Sequence, residues 1–265
     1  MAEPAGWRSC STASAPGRRS VRRAAALVAT LCVLAGTVAV TLAVIAGPGP
    51  GLTGYVSEAG VADSGYAWTY RMGVFALAGA LLLLAVALRV GAAHRADRAL
   101  RVAGTLLVAA GLCTVLSGAV TCSAGCPLPP FERATVADLV HGAASIAATA
   151  AVVFAMLAVA FSSVARRPLR RTGVVAAAVS LPLAGAVGLA MLLVGRSPLV
   201  GVLERLLLAV AVGWALVTAG ALALRNPSAS AARDPSEPGA PDRTAPAVRD
   251  PTARRPPSGP APGGG

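Results

Sequence analysis

The chain has 265 residues, of which 55% are hydrophobic and only 13% are charged, and its formal net charge is +12. This composition is too apolar for an ordinary soluble domain and is typical of a protein that resides in a lipid bilayer. The basic residues are all arginines dispersed between apolar runs, with no aromatic and basic motif beside them, so we exclude nucleic acid as a partner.

Six long apolar runs follow one another along the chain, at residues 24–46, 72–88, 102–120, 136–161, 174–194 and 206–224. Each run is close to the roughly 20 residues that cross a hydrocarbon core as a helix. The runs lack the alternation of a strand, and a helix satisfies the backbone hydrogen bonds of such a segment internally. The sequence therefore predicts an all-α fold: a polytopic membrane protein with a six-transmembrane-helix bundle over residues 24–224.

The first apolar run follows the basic N-terminal segment, residues 1–23, so a cleaved signal peptide is an alternative to a membrane anchor. The run is longer than the roughly 7–15 apolar residues of a secretory signal. Its length favours an uncleaved span, although the sequence leaves both alternatives open.

Arginine is distributed unevenly between the two ends of the predicted helices. The N-terminal segment, the connections after the second and fourth runs, and the C-terminal segment hold 19 of the 23 arginines. Because arginine-rich segments remain in the cytoplasm, we expect a multi-pass protein of the cell membrane with both termini cytoplasmic. The four arginines on the predicted outer side are Arg71, Arg133, Arg196 and Arg205.

The C-terminal segment, residues 225–265, differs from the rest of the chain in composition. It is rich in Pro, Ala, Ser and Gly, with ten prolines among the last 40 residues. Such a segment buries too little apolar surface to offset its chain entropy. We expect a disordered, Pro-rich cytoplasmic tail.

Polar residues on the predicted outer side form the candidate functional site. Thr135 and Asp138 fit a capping box at the start of the fourth helix, which would give Asp138 a structural role. His141 and Ser145 continue the same face of that helix and are expected to point into the bundle. His141 follows the cap by six residues, which places it roughly 9 Å deep.

Ser197, which is followed by proline, predicts the start of the sixth helix and puts Glu204 at a similar depth of roughly 9 Å. Arg205 lies about 100° around the helix from Glu204, so we expect Asp138 or Glu58 to be its partner. The sequence leaves two interpretations open, an outward-facing polar pocket and a structural ion-pair cluster. The candidate cluster consists of Tyr55, Glu58, Arg71, Asp138, His141, Ser145, Glu204 and Arg205.

Cys122 and Cys126 lie in a predicted extracytoplasmic loop, where thiols oxidise, and we expect a structural disulfide between them. Their spacing is not the C-x-x-C of redox motifs, which leaves a quinone-linked thiol-oxidising enzyme as an alternative. One histidine and two cysteines lack the spacing of a zinc site, so no metal is expected. The spans hold His141 as their one histidine, too few for a haem-binding bundle, and we expect no cofactor.

Four short strings in a fixed order resemble a known family. They are Tyr-Val-Ser-Glu at 55–58, Gly-Cys-Pro-Leu-Pro-Pro at 125–130, Asp-Leu-Val-His-Gly-Ala-Ala-Ser at 138–145 and Gly-x-x-Glu-Arg at 201–205. With them, roughly residues 24–224 resemble the six-helix bacterial membrane proteins grouped as domain of unknown function 998, in its actinobacterial form. The resemblance implies the six-span topology and no activity.

Three functional hypotheses are consistent with these residues. The first is a non-enzymatic sensor or assembly protein of the bilayer whose outward-facing pocket binds a small molecule, a lipid or a protein on the outer face. The second is a small-molecule or lipid transporter, for which the chain has no detectable inverted repeats. The third is an outer-leaflet enzyme, although Ser, His and carboxylates in unknown geometry do not define a triad, so no catalytic residue is assigned.

Overall fold

The computed structural model of the protein describes residues 16–47, 54–91 and 97–224. These residues form six α-helices and one short 3₁₀ helix, with no strand in the described ranges. All six α-helices are long and apolar enough to cross a membrane, which confirms the predicted all-α, six-span fold. The helices are α1 (Pro16–Ala46), α2 (Ala67–Gly91), α3 (Arg98–Ala119), α4 (Val136–Ala160), α5 (Arg167–Val194) and α6 (Pro198–Ala223), and the 3₁₀ helix is Val56–Gly60.

Most helices extend beyond the apolar runs that predicted them. The apolar runs mark the helix centres, whereas capping residues mark the helix ends. Asp97 caps α3 through the amides of Ala99 and Leu100, and Ser197 caps α6 with a proline at the first helical position. Thr135 caps α4. The predicted tail, residues 225–265, lies outside the described residues, as does most of the N-terminal segment.

The helices pack as a closed ring in which each contacts the next in sequence and α6 returns to α1. The contact between α1 and α2 is close because glycines face each other: a Cβ on Gly36 would lie 2.7 Å from the carbonyl oxygen of Gly73. Fully buried alanines, including Ala26, Ala103 and Ala155, continue this small-residue packing through the core. Small side chains are the usual means by which helices approach closely in a membrane.

The connections between helices gather at two ends of the bundle. The 3₁₀ helix, the α3–α4 connection and the α5–α6 connection contact one another at one end, which we call the chamber end. The α2–α3 and α4–α5 connections meet at the other end through a hydrogen bond between Ser162 and Asp97. The candidate residues of the outer cluster lie in or beside the 3₁₀ helix, or in the N-terminal parts of α2, α4 and α6, which begin at the chamber end.

Candidate functional site

A cavity of about 210 Å³ lies at the chamber end, and residues from all six helices line it. We call it the chamber. Its walls are largely apolar, but polar side chains converge on it from the 3₁₀ helix and from four of the α-helices. These polar residues are Tyr55, Ser57, Tyr70, Thr114, Ser117, Asp138, His141, Ser145, Thr149 and Glu204.

His141 is held by α3 from across the bundle. Its Nδ1 lies 2.9 Å from the carbonyl oxygen of Ser117 and 2.8 Å from that of Val120. Because carbonyl oxygens only accept hydrogen bonds, Nδ1 carries a proton. The other ring nitrogen, Nε2, is buried and has no hydrogen-bond partner among the described residues. The imidazole is thus oriented through Nδ1, and Nε2 is left to interact with whatever enters the chamber.

The two serines beside His141 form a pair. The Oγ atoms of Ser117 and Ser145 lie 2.7 Å apart, and Ser117 Oγ lies 3.4 Å from Nδ1 of His141. Since Nδ1 already donates to carbonyl oxygens, it cannot accept a proton from either hydroxyl. The arrangement therefore does not activate Ser145 as a nucleophile through Ser117.

Asp138 is buried, with only 2% of its surface exposed, and its oxygens accept four hydrogen bonds from the protein. They accept hydrogen bonds from the backbone and hydroxyl of Thr135, at 2.8 and 2.7 Å. They also accept from the backbone and hydroxyl of Ser123, at 2.6 and 3.2 Å. Asp138 thus completes the capping box of α4 and fastens the α3–α4 connection to it.

Glu204 and Arg205 connect α6 to the segment that leads into the 3₁₀ helix. Glu204 Oε2 accepts a hydrogen bond of 3.1 Å from the amide of Val56. Arg205 Nη1 donates to the carbonyl oxygens of Gly54 and Gly201, each at 2.7 Å. Through these bonds the first turns of α6 hold the segment 54–57 in place. Residues 55–57 form one wall of the chamber, which we call the outer wall.

Glu58 forms an ion pair with Arg196, at 3.0 Å from Nε and 2.6 Å from Nη2. The pairing of Arg205 with Asp138 or Glu58 stays a prediction; in the structure, Glu58 pairs with Arg196, and Asp138 accepts hydrogen bonds from Ser123 and Thr135. Hydrogen bonding to Glu58 raises the pKa of Arg196. Burial raises the pKa of the neighbouring Tyr55 phenol, and the negative charge of Glu204 adds to that effect.

The structure brings most of the predicted cluster to one place. Tyr55, Asp138, His141, Ser145 and Glu204 line the chamber. Glu58 and Arg205 hold its outer wall by the contacts described above. Arg71, near the start of α2, is not among the described residues that line the chamber, and within the described ranges its buried Nε has no hydrogen-bond partner.

Sequence reasoning missed Ser117 and Arg196. Ser117 follows Thr114 by one helical turn in an otherwise apolar span, which is a weak signal for a polar face. Arg196 directly precedes the cap of α6, and its position among predicted outer-side arginines was the only available signal. Neither signal identifies a partner across the bundle.

Cys122 and Cys126, where we predicted a disulfide, are bonded to each other in the structure, with their Cα atoms 5.0 Å apart. Gly125, at φ 81°, and Cys126, at φ 47°, adopt left-handed backbone conformations in this turn. Ser57 Oγ donates a 3.3 Å hydrogen bond to Cys126 Sγ, so the disulfide contacts the 3₁₀ helix. A ring nitrogen of His141 and both Sγ atoms lie within 4.8 Å of one another.

Comparison with known proteins gives a family and no activity. Residues 32–221 match the family described as "Protein of unknown function (DUF998)". The chain belongs to this family. No curated protein and no solved structure matches it. Because the family description names no function, the function has to be argued from the chamber.

Two further cavities adjoin the chamber. An apolar cavity of about 140 Å³ extends between α1, α2, α3, α4 and α6, and a second of about 300 Å³ lies between the α3–α4 connection, α4 and α5. The apolar cavity shares with the chamber Leu77, Thr114, Ala148, Thr149 and Leu208. The other cavity shares with it Tyr55, Cys126, Leu128, Ile146 and Met191.

Proposed function

We propose that this protein is a non-enzymatic membrane protein, a sensor or an assembly factor, that binds a small amphipathic ligand in the chamber. The observation that carries the proposal is Nε2 of His141, a buried polar atom that has no partner in the described part of the chain and lies at a cavity lined by hydroxyl and carboxyl groups. A buried polar atom of this kind is costly unless something else completes its hydrogen bonding. A bound ligand would do so.

The polar side chains in the walls of the chamber indicate which kind of polar group the ligand carries. Asp138 and Glu204 supply carboxyl groups, and no arginine is among the described residues that line the chamber. Asp138 already accepts four hydrogen bonds from Ser123 and Thr135, so Glu204 and His141 are the groups that we expect to bind a ligand. Arg205 lies next to Glu204 but donates to the carbonyl oxygens of Gly54 and Gly201, so the acceptors that face the chamber favour a group that donates hydrogen bonds and carries positive charge, such as an amine.

The adjoining apolar cavity indicates that the remainder of the ligand is a hydrocarbon chain. It is lined almost entirely by aliphatic side chains and shares a wall with the chamber. A hydrocarbon chain placed there would be removed from polar surroundings, while its polar end stayed beside Glu204. Ligand sites of this type are mostly apolar, with a few convergent polar groups that fix orientation.

We propose further that the protein lies in the cell membrane with both termini cytoplasmic, so that the chamber end is extracytoplasmic. The partition of 19 of the 23 arginines supports this orientation. Reporter fusions at Gly60, Ala93, Ala124, Pro168 and Pro227 should read out, in, out, in and in. An extracytoplasmic signal at Pro227 would contradict the proposed orientation of the C-terminus.

A set of matched amphiphiles tests the binding proposal. Tetradecylamine, tetradecanol and tetradecanoate have the same chain and differ in the polar end. With protein in lipid nanodiscs, the amine should raise Tm, the alcohol should do so less, and the carboxylate should have no effect. Glu204→Gln should remove the effect of the amine.

Asp63→Asn is the matched control, because Asp63 is an exposed carboxylate in the α1–α2 connection. It should leave the response to the amine intact. An equal Tm shift for all three amphiphiles, or an unchanged shift in Glu204→Gln, would show that the amine only partitions into lipid. Flux of the amine across proteoliposomes, abolished by Glu204→Gln, would instead make the protein a transporter.

A further inference from the structure

We propose that the protein, when Cys122 and Cys126 are reduced, binds one thiophilic divalent ion of the Zn²⁺ class through these two cysteines and His141. This site lies in the wall of the chamber and shares His141 with the ligand site proposed above, but its test uses metal ions alone and does not depend on that ligand. It exists only in the dithiol state, since a disulfide has no thiolate to offer. The proposal therefore describes a metal site that the redox state of the cysteine pair switches on and off.

The three side chains already lie at nearly the separation that a metal requires. Both Sγ atoms and a ring nitrogen of His141 are within 4.8 Å of one another. On a tetrahedral Zn²⁺ with Zn–S distances of about 2.3 Å and a Zn–N distance of about 2.0 Å, ligand atoms are roughly 3.5–3.8 Å apart. After the disulfide opens, small side-chain rotations around the existing Cα positions satisfy this geometry.

His141 is prepared as a ligand by its contacts with α3. Its Nδ1 donates to the backbone carbonyls of Ser117 and Val120, while Nε2 is buried and no described residue bonds to it. The histidine itself is only 6% exposed. Metal-bound histidines commonly donate their other ring N–H to a carbonyl, which fixes the tautomer and the orientation of the ring. The observed contacts provide this support without any metal present.

The electrostatics of the chamber favour a cation at this position. Cys126 and His141 line the chamber together with Asp138 and Glu204, and no arginine is among the described lining residues. Two thiolates and one neutral imidazole compensate the charge of a divalent ion. The fourth coordination position would face the chamber and remain available to water or to a bound molecule, as in zinc sites with three protein ligands.

The chemistry of the switch balances with a dithiol as the reductant. The dithiol gives two electrons and two protons to the Cys122–Cys126 bond, which breaks to two thiols, and the dithiol itself becomes a disulfide. Binding of the ion then releases the two thiol protons to solvent. Oxidation of the pair by a second disulfide reverses the sequence and expels the ion.

The experiment uses the full chain with its other cysteines, Cys10, Cys32 and Cys113, replaced by serine. The purified protein is reduced anaerobically with a water-soluble phosphine, which takes oxygen from water and becomes its oxide. After the phosphine is removed, Co²⁺ is added as an optical probe and Zn²⁺ as a competitor. We expect one metal ion per reduced chain, thiolate-to-cobalt charge-transfer absorption, and loss of that absorption when Zn²⁺ displaces Co²⁺.

The unreduced protein should bind no ion, and oxidation of the loaded protein with a small disulfide should release it. This comparison needs no change at the ligands, so it is valid even if ligand variants fail to fold. Equal binding in both redox states, or no binding in the reduced state, would overturn the proposal.

Ligand variants locate the site. His141→Gln should lower the affinity for Zn²⁺ at least tenfold, whereas His94→Gln, at the chain's other histidine, should not change it. Bound Zn²⁺ should also protect Cys122 and Cys126 from alkylation in the reduced protein. Retention of full affinity in His141→Gln would show that the ion is held by the cysteines with other groups, and the assignment would be wrong.

Discussion

At the end of the bundle opposite the chamber, Asp97 is buried between the start of α3 and the α4–α5 connection. It accepts hydrogen bonds from Ser162 Oγ at 2.5 Å and from the amides of Ala99 and Leu100 at 2.9 and 3.4 Å. Asp138 does the same at the chamber end, where it joins the start of α4 to the α3–α4 connection. Asp97 caps α3 and Asp138 completes the capping box of α4, and each also fastens a second segment.

The clusters around Asp97 and Asp138 differ in what is left over after these bonds are made. Around Asp97, Ser162 donates to the carboxylate and accepts from the amide of Ala165, so these polar groups bond to one another. One turn after Asp138, His141 retains a buried nitrogen that has no partner among the described residues and lies beside a cavity. Buried polar groups that are satisfied by the protein stabilise the fold, whereas an unsatisfied one beside a cavity indicates a ligand.

Asp138→Asn should have the largest effect on stability. The amide cannot accept all four hydrogen bonds that reach Asp138, and its NH₂ group would face donors on Ser123 and Thr135. We expect the free energy of unfolding to fall by about 3 kcal/mol, measured by reversible denaturation in mixed micelles. Asp63→Asn, at an exposed position, is the control and should change little. A loss of unfolding free energy as small as that of the control would show that Asp138 has no structural role.

Asp97→Asn should cost somewhat less, about 2 kcal/mol, because fewer segments depend on it. Burial raises the pKa of Asp97, but hydrogen bonds from Ser162 and from the amides of Leu100, Ala99 and Val164 outweigh burial, so the pKa is lowered overall. The stabilisation is therefore present above the ordinary pKa of about 3.9 and is lost as pH falls through the lower folded value.

The difference in Tm between wild type and Asp97→Asn should accordingly be constant near neutral pH and shrink as the pH falls below about 4. Other carboxylates titrate in the same range, but they are common to both proteins and cancel in the difference. A difference that does not change with pH would show that Asp97 contributes through shape rather than through its charge.

The helices were predictable because their signals are local. An apolar run of sufficient length must be helical in a membrane, and Thr135, Asp138 and Ser197 mark helix starts through bonds to neighbouring residues. Depth along a helix is also local, since it follows from the rise per residue. This is why His141 and Glu204 were expected at one level, and both line the chamber.

Partners across the bundle were not predictable, because they depend on helix rotation and on the path of connections. Glu58 is separated from Arg196 by 138 residues, and no periodicity relates them. The same limitation applies to His141 and the cysteine pair. Sequence spacing gave no metal site there, whereas the fold of the α3–α4 connection over α4 brings the three side chains together.

Arg196→Ala should have a smaller effect than either aspartate variant, although it removes the partner of a buried carboxylate. The Arg196 side chain is 42% exposed, while that of Glu58 is 6% exposed. Water can therefore reach the site and screen the charge that remains, and we expect a loss of about 1 kcal/mol. Arg196→Lys keeps the positive charge but cannot form both hydrogen bonds to Glu58. Its Tm should therefore lie between that of Arg196→Ala and that of wild type. A Tm of Arg196→Ala equal to wild type would show that the pair contributes no stability.

Ser145→Ala should have the smallest effect on stability, and it is compared with Ser162→Ala at the opposite end. Ser162 is 1% exposed and donates to Asp97, so its loss leaves a buried carboxylate short of a donor and should cost about 1.5 kcal/mol. Ser145 bonds to another hydroxyl, that of Ser117, which can turn towards the chamber when its partner is removed. We therefore expect Ser145→Ala to change stability by less than about 0.5 kcal/mol while weakening the Tm response to tetradecylamine. Equal losses of stability for the two alanine variants would mean that the hydroxyls of the chamber serve the fold, and the contrast between the two ends would then be unfounded.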